Sequence, residues 1–228
     1  MVSAVILAAG LATRMGRPKQ LLQLGTKTLL EHVVENALQS KVVETIVVTG
    51  AYREEIKQRL ASYDVKFADN PRYKEGQGTS VATGAAAVCP AARGIMFLLA
   101  DEPFVCPQII NRIIDTFTGT GALIVRAGET GHPVLFDSTL KEQLAQLSGD
   151  AGGRQIIKKY RDRLETIPVC PYYLSMDIDT EEDYKLAQAY MGRVKRKMKA
   201  EISGLICYGQ YWTDVYNASS FHFTCPFL

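Results

Sequence analysis

The residues with the clearest chemical potential are two cations and a carboxylate, each placed shortly after an apolar run of the chain. Arg14 and Lys19 follow the apolar stretch Val2–Ala9, and Asp101 follows Ile95–Leu99. Cations can neutralise a polyphosphate that backbone amides hold, and Mg²⁺ prefers a carboxylate together with substrate phosphates. These residue types indicate phosphate chemistry, with two solvated cations and an aspartate that caps a turn as the simpler alternatives.

The loop that carries the two cations is also rich in small residues. Ala8, Ala9 and Gly10 would let backbone N–H groups approach a ligand closely. No Gly-Lys-Ser/Thr follows the glycines and there is no G-x-G-x-x-G, so neither a Walker A loop nor a dinucleotide fingerprint is expected. The loop therefore favours nucleotide phosphate binding of another type.

A second acidic segment, Asp177-Ile178-Asp179, could complete a metal site with Asp101. Asp177 and Asp179 are two positions apart, so in an extended chain both side chains point to the same side. Either one could be the ligand. The acidic residues that follow, Glu181 to Asp183, are expected to complement the positive end of the helix that they open.

Glycine-bounded segments form a fourth group of candidates. Gly76–Ser80, which follows Asn70, offers flexible backbone and free N–H groups at a helix start for a phosphate, sugar or base. His132 lies between Gly131 and Pro133, where an acid-base or anion-binding role competes with turn geometry. Gly149–Arg154 belongs to the same group.

The elements that must position these residues alternate between short β-branched runs and segments of helical periodicity. Strands are predicted at Ser3–Leu7, Thr45–Thr49, Val65–Ala68, Ile95–Leu99, Ala122–Arg126, Pro133–Phe136 and Leu164–Val169. Helices are predicted from Thr28 and at Arg53–Ala61, Ser80–Val88, Pro107–Phe117, Ser138–Leu147, Gly153–Tyr160 and Glu181–Met191. This order is typical of an α/β protein with a mainly parallel sheet covered by helices, in which ligands lie beyond the carboxyl ends of the strands.

Composition limits the classes of function. The 228 residues are 47% hydrophobic and 22% charged with a net charge of +2, which is typical of a globular protein and does not predict a nucleic-acid surface. The five cysteines are far apart and include no C-x-x-C pair, which favours reduced thiols and a cytoplasmic location. No apolar run approaches the ~20 residues that span a bilayer, so no membrane association is expected.

A change of composition near Gly192 predicts a boundary between residues 1–191 and 192–228. Arg193–Lys199 is basic, and the segments Leu205–Trp212 and Phe221–Phe227 are aromatic. The extension is interpreted as a solvated basic helix end with a packing segment, and docking of a partner or a second copy is the alternative.

Five motifs in collinear order resemble the MobA-like nucleotidyltransferases and, within them, the molybdenum-cofactor cytidylyltransferases. They are L-A-A-G-x-x-x-R-M-G-x-x-K-x-L-L at Leu7–Leu22, N-P-x-x-x-x-G-x-x-x-S at Asn70–Ser80, L-A-D-x-P at Leu99–Pro103, G-H-P at Gly131–Pro133 and D-I-D-T-x-x-D at Asp177–Asp183. The resemblance covers residues 1–191. It implies a Rossmann-like, Mg²⁺-dependent nucleotidyltransferase domain that couples a nucleoside triphosphate to a phosphorylated pterin-type acceptor and releases pyrophosphate.

The resemblance also implies roles for single residues. Arg14 and Lys19 would neutralise the triphosphate, and Asp101 would hold Mg²⁺ with Asp179, or with Asp177 as the second choice. The loop residues that would hold or wrap the nucleotide are Leu7, Ala8, Ala9, Gly10 and Gly16. Asn70 and Ser80 would lie near the base or ribose, and His132 near the acceptor phosphate.

Ala9 carries the prediction about the base. Guanylyltransferases of the same family tend to have a second glycine at this position, so Ala9 favours CTP over GTP. The physical reason is that the methyl group of Ala9 narrows the space for the base, which favours a pyrimidine. A guanylyltransferase or a sugar- or alcohol-phosphate nucleotidyltransferase is the nearest competing enzyme. A nucleotide-binding accessory protein for the maturation of a molybdenum hydroxylase is the non-enzymatic alternative.

Overall fold

The computed structural model describes residues 1–11, 18–129, 131–169 and 177–203, the last eleven of these by their backbone alone. The strands are β1 Val2–Leu7, β2 Gln23–Leu24, β3 Lys27–Thr28, β4 Glu44–Thr49, β5 Lys66–Asp69, β6 Gly94–Leu99, β7 Ile124–Ala127, β8 Val134–Asp137 and β9 Leu164–Ile167. The helices are α1 Leu29–Leu38, α2 Arg53–Arg59, α3 Gln77–Ala87, α4 Pro107–Thr120, α5 Lys141–Ala145, α6 Arg154–Lys159 and α7 Glu181–Ser203. Short 3-10 turns lie at Lys19–Leu21, Tyr73–Glu75, Ser138–Leu140 and Arg161–Arg163.

Seven strands form one sheet in the order β5-β4-β1-β6-β8-β7-β9. The pairs β5-β4, β4-β1, β1-β6 and β7-β9 are parallel, and β8 runs antiparallel to both of its neighbours. The predicted mainly parallel sheet is therefore confirmed. Because β1 and β6 are adjacent and parallel, the loops that follow them emerge at the same edge of the sheet.

The central strands are buried on both faces. In β1, Val5 packs towards α3, where a Cβ atom at Gly84 would overlap its Cγ1 atom. Ala4 and Ile6 point to the opposite face because side chains alternate along a strand, and both are fully buried. Strand β6 is at most 2% exposed from Ile95 to Leu98, as expected for a strand covered by helices on both sides.

Helix α1 begins with the predicted capping box. The Thr28 hydroxyl accepts a hydrogen bond from the Glu31 N–H at 3.2 Å, and the Glu31 carboxylate accepts one from the Thr28 N–H at 2.7 Å. Arg59 pairs with the same carboxylate at 3.0 Å. Burial opposes ionisation of Glu31, but these partners lower its pKa below the ordinary value.

Three elements differ from the sequence-based prediction. The hairpin β2-β3 was not predicted, because two residues a strand are too few to show periodicity. The helix predicted at Ser138–Leu147 is a 3-10 turn followed by the five residues of α5. Helix α7 continues past its predicted end at Met191 to Ser203.

The chain divides into a compact unit, Met1–Gln188, and a second unit that begins at Ala189. The predicted boundary near Gly192 stays a prediction, as does the role of the segment after it. In the described part of the chain, no helix combines the length and the apolar character that crossing a membrane requires.

Candidate active site

A cavity of about 400 Å³ lies at the carboxyl ends of β1 and β6. Its lining consists of Leu7, Ala8, Ala9, Gly10, Leu11, Lys19, Gln20, Tyr73, Lys74, Gly76, Gln77, Ser80, Leu99, Ala100, Asp101 and Asp150. The structure thus brings together the predicted loop after β1, the predicted cation Lys19, the predicted carboxylate Asp101 and Ser80. The predicted site residues Arg14 and Gly16 lie outside the described residues.

Gln20 holds the loop after β1 in place. Its side-chain amide is buried and donates to the carbonyl oxygens of Ala8 at 3.3 Å and Gly10 at 3.4 Å. The Ala8 N–H donates to the Val48 carbonyl oxygen at 2.9 Å, which ties the same loop to β4. Sequence analysis missed Gln20, and its only signal was a polar residue directly beside Lys19.

The methyl group of Ala9 is buried. Ala9 is 3% exposed, and a Cβ atom placed on Gly50 would lie 2.9 Å from the Cβ atoms of both Ala9 and Tyr73. Ala9 and Tyr73 therefore converge on the point where β4 ends. Both residues also line the cavity.

Lys19 joins two carboxylates that come from distant parts of the chain. Its ammonium group forms ion pairs with Asp101 and with Asp179, the latter at 2.5 Å. The Ile178 N–H donates to the Asp101 carbonyl oxygen at 3.1 Å, which fixes the acidic segment beside the end of β6. Burial alone would lower the pKa of Lys19, but the charge of Asp101 and hydrogen bonds to both carboxylates raise it above its ordinary value.

The start of α7 orients Asp179. Asp183 accepts hydrogen bonds from the N–H groups of Asp179 at 3.2 Å and Thr180 at 2.8 Å, and its own N–H donates to the Thr180 hydroxyl at 3.1 Å. The Tyr184 hydroxyl donates to the Gln23 carbonyl oxygen at 2.5 Å. The first turn of α7 is therefore fixed to β2, and the Asp179 carboxylate is directed to Lys19.

Two further acids lie close to this pair. Burial raises the pKa of Asp177, and the charges of Asp179 and Asp101 raise it further. Glu102 is 4% exposed, and its Oε2 atom has no hydrogen-bond partner among the described residues. Burial, and then the charges of Asp101 and Asp177, raise the pKa of Glu102 well above its ordinary value. Acidic side chains are thus concentrated around Lys19, and the raised pKa values of Asp177 and Glu102 mean that these two keep their protons to a higher pH than usual.

Asp101 and Asp179 fit a magnesium site that is completed by the phosphates of a substrate. No group of three or more His, Cys, Asp or Glu residues suited to a metal occurs in the ranges that the structure describes. Mg²⁺ is commonly held by one or two carboxylates together with substrate phosphates. Asp101 and Asp179, which converge on one ammonium group beside the cavity, could supply the two carboxylates.

His132 lies at the same edge of the sheet. The antiparallel register pairs Val134 with Phe97, which places His132, two residues earlier, beside the end of β6. Its Nδ1 atom is buried and has no hydrogen-bond partner within the described ranges. Burial lowers the pKa of His132, against the opposing effects of a hydrogen bond to the Phe97 backbone and the charge of Asp101.

Asn70 lies behind the cavity and does not line it. Its side-chain amide donates to the hydroxyls of Thr79 and Ser80, both at 3.0 Å, and its carbonyl oxygen accepts from the Arg72 N–H at 2.9 Å. Asn70 lines an adjacent cavity of about 440 Å³ instead. It therefore positions Ser80, which is the member of the pair that reaches the candidate site.

Known proteins match this chain along most of its length. The family model described as the MobA-like NTP transferase domain matches residues 4–164. The nicotine blue oxidoreductase of Paenarthrobacter nicotinovorans is 29% identical over 196 residues, which cover 81% of this chain and 96% of that protein. The molybdenum cofactor cytidylyltransferase of Escherichia coli K12 is 28% identical over 193 residues, which cover 82% of this chain and 95% of that protein.

A solved structure shares the architecture. The manganese complex of Rv0371c from Mycobacterium tuberculosis H37Rv is 30% identical and superimposes with a TM-score of 0.66 over 82% of this chain and 97% of that chain. The predicted family and the Rossmann-like nucleotidyltransferase fold are confirmed by the matching family model and the sheet order. The chain belongs to the MobA-like NTP transferase family.

Proposed function

We propose that the protein transfers CMP from CTP to a phosphorylated acceptor of the molybdopterin type and releases pyrophosphate. The observation that carries the proposal is the convergence of Asp101 and Asp179 on Lys19, at one end of a cavity lined by the loop after β1. One relative is named for cytidylyl transfer to the molybdenum cofactor, which supports the choice of nucleotide and acceptor.

In the proposed reaction, an oxygen of the acceptor's terminal phosphate attacks the α-phosphorus of CTP in line. The new bond joins this oxygen to the α-phosphorus while the bond to the bridging α,β-oxygen breaks, and pyrophosphate leaves with that electron pair. Catalysis of this kind consists mainly of positioning and charge neutralisation. The loop amides of Ala9 and Gly10 hold the triphosphate, and Lys19 and Arg14 neutralise it.

Mg²⁺ held by Asp101 and Asp179 would add further neutralisation of the triphosphate. The manganese complex of a 30% identical protein supports a divalent ion in this fold. Asp179 is preferred over Asp177 because its carboxylate meets Asp101 at the same ammonium group. Asp179→Asn should abolish turnover and Mg²⁺ dependence while Asp177→Asn retains most of both, and the opposite result would reverse the assignment.

His132 is proposed to face the acceptor phosphate. The imidazole is neutral near pH 7, because burial keeps its pKa below the ordinary value. An approaching phosphate would add negative charge and favour protonation, which would convert the unpartnered Nδ1 atom into a hydrogen-bond donor. His132→Asn should therefore raise the KM for the acceptor more than the KM for CTP.

CTP is proposed over GTP because of Ala9, which lines the cavity and whose methyl group occupies space that a second glycine would leave free. An assay of pyrophosphate release with CTP or GTP, combined with molybdopterin or with sugar phosphates, tests nucleotide and acceptor together. Preferred use of GTP would contradict the choice of base, and preferred use of a sugar phosphate would contradict the choice of acceptor.

CTP binding without pyrophosphate release in the presence of acceptor would favour the accessory role. The name of one relative, nicotine blue oxidoreductase, adds a further control, which is the reduction of nicotine blue without CTP, with a reduced nicotinamide cofactor supplied as the electron donor. That activity in place of pyrophosphate release would overturn the transferase proposal.

The proposal also includes transfer of the product to a molybdenum hydroxylase or its maturation factor, and a cytoplasmic location.

A further inference from the structure

Asp150, in the segment Gly149–Gly153, lines the candidate nucleotide cavity and has no part in the proposed reaction. The Gly149 carbonyl oxygen accepts a hydrogen bond from the Gly78 N–H at 2.7 Å, which fixes the segment to the first turn of α3. Gly76 has a φ of +105°, and a Cβ atom at this position would lie 2.5 Å from Oδ1 of Asp150. Glycine at position 76 therefore leaves the space in which the Asp150 carboxylate reaches the cavity.

The Asp150 carboxylate is available to a ligand. Asp150 lines the cavity, and among the described residues no hydrogen bond or ion pair engages its side chain. The residue is solvent-exposed, so the carboxylate would lose water only when a ligand fills that end of the cavity. Gln77 lines the cavity beside it, and a Cβ atom on Gly152 would lie 3.2 Å from the Gln77 Oε1 atom.

The order of strands determines which end of a nucleotide meets Asp150. Lys19 and Asp101 mark the phosphate end, at the carboxyl end of β6. Tyr73 lies against Gly50 at the end of β4, on the opposite side of β1. Two strand spacings of ~4.8 Å separate β6 from β4, so the two ends of the cavity are about 10 Å apart. With the triphosphate at Lys19, the base lies towards Tyr73 and Gly76, where the Asp150 carboxylate is found.

We propose that Asp150 is the residue that recognises the exocyclic amine of the base. An ionised carboxylate only accepts hydrogen bonds. Cytosine presents an amine at the position where uracil presents a carbonyl oxygen, so the carboxylate binds cytosine and repels uracil. Guanine also carries an amine, and its exclusion depends on the space between Tyr73 and the loop after β1. The inference rests on the proposed use of a nucleoside triphosphate at this cavity.

The test measures binding of CTP, 2′-deoxy-CTP and UTP to the full chain by isothermal titration calorimetry with Mg²⁺, before and after Asp150→Asn. The amide of the variant can donate to the carbonyl oxygen of uracil. We expect CTP and deoxy-CTP to bind at least about tenfold more weakly to the variant, as for loss of one matched base contact, while UTP binds equally or more tightly. Asp162→Asn removes the same charge from an exposed position outside the cavity and should leave all three affinities unchanged.

Three results with the Asp150 variant would overturn the assignment. If the affinities for CTP and UTP fall equally, Asp150 contacts the phosphates or affects the pocket in general. If the affinity for CTP falls and that for deoxy-CTP does not, Asp150 contacts the ribose. Unchanged CTP affinity would remove Asp150 from the site. Because binding needs no acceptor, a wrong acceptor in the proposed function leaves this test intact. Failure of the wild-type protein to bind CTP or UTP would instead identify the proposed nucleotide as the error, and would overturn the inference with it.

Discussion

Replacing Lys19 by methionine should lower stability and activity, and the loss of stability should respond to Mg²⁺. Two carboxylate charges that share one ammonium group, as those of Asp101 and Asp179 do, are on the order of 4 Å apart, and at that distance they repel by about 1 kcal/mol in water and about 4 kcal/mol at an effective dielectric constant of ~20. Since the three side chains are between 13% and 32% exposed, we expect a loss of about 2 kcal/mol in the free energy of unfolding. Pyrophosphate release should fall about 10²- to 10³-fold, as for removal of one preorganised charge contact.

Urea unfolding with and without Mg²⁺ measures the first effect. In the variant, Mg²⁺ can bind the two carboxylates without nucleotide and should raise the urea midpoint, whereas in the wild-type protein the ammonium group opposes this binding. Lys41→Met is the matched control, because Lys41 pairs with Asp115 at 2.6 Å on the open surface and should contribute below about 1 kcal/mol. Equal stabilisation of the wild-type protein and the Lys19 variant by Mg²⁺ would refute this prediction. Full activity of the Lys19 variant, as expected for the Lys41 control, would also refute it.

Three further predictions concern stability. Gly84→Ala should destabilise the protein by about 1–3 kcal/mol, because the new methyl group would overlap Val5. Gly119→Ala should stabilise it by about 0.5–1 kcal/mol, because there is open space around Gly119 in α4. Urea midpoints of the two variants that move in the same direction would contradict this pair of predictions. Thr28→Ala should cost about 0.5–2 kcal/mol through loss of the capping box, and an unchanged thermal midpoint would count against it. Because its folded pKa lies below the ordinary value of 4.5, Glu31 contributes stability that is present above pH 4.5 and is lost as the pH falls through the folded pKa. Glu31→Gln should remove this part of the acid dependence, and an acid unfolding curve with the same slope would show that other carboxylates cause it.

Local hydrophobic periodicity was sufficient to predict most of the fold. The predicted ends of the seven main strands lie within two residues of the observed ends, because each strand is an apolar run bounded by turn residues. Thr28 and Glu31 were sufficient to place the start of α1, since a capping box is a local signal. The short hairpin β2-β3 had no comparable signal, although it fixes α7 through the contact between Gln23 and Tyr184.

The candidate site was predictable to the extent that its residues follow strands. Lys19, Asp101 and Ser80 were expected at the carboxyl edge of the sheet and line the cavity there. Asp150 was not assigned a role, because its position depends on how the segment after α5 docks on Gly76 and Gly78. The structural role of Gln20 was also not predictable, since its partners are backbone carbonyl groups.

The contact between Lys19 and Asp179 also bears on protein synthesis. The two residues are 160 positions apart, and at the usual elongation rate of about 5–20 residues per second the second one follows the first by roughly 10–30 s. Strands β1, β4 and β6 can pair during that interval, so a nascent chain on the ribosome can form the loop after β1 before it contains Asp179. Translation that stops before Ile178 therefore yields a chain that contains Lys19 and Asp101 but lacks the second carboxylate that pairs with Lys19.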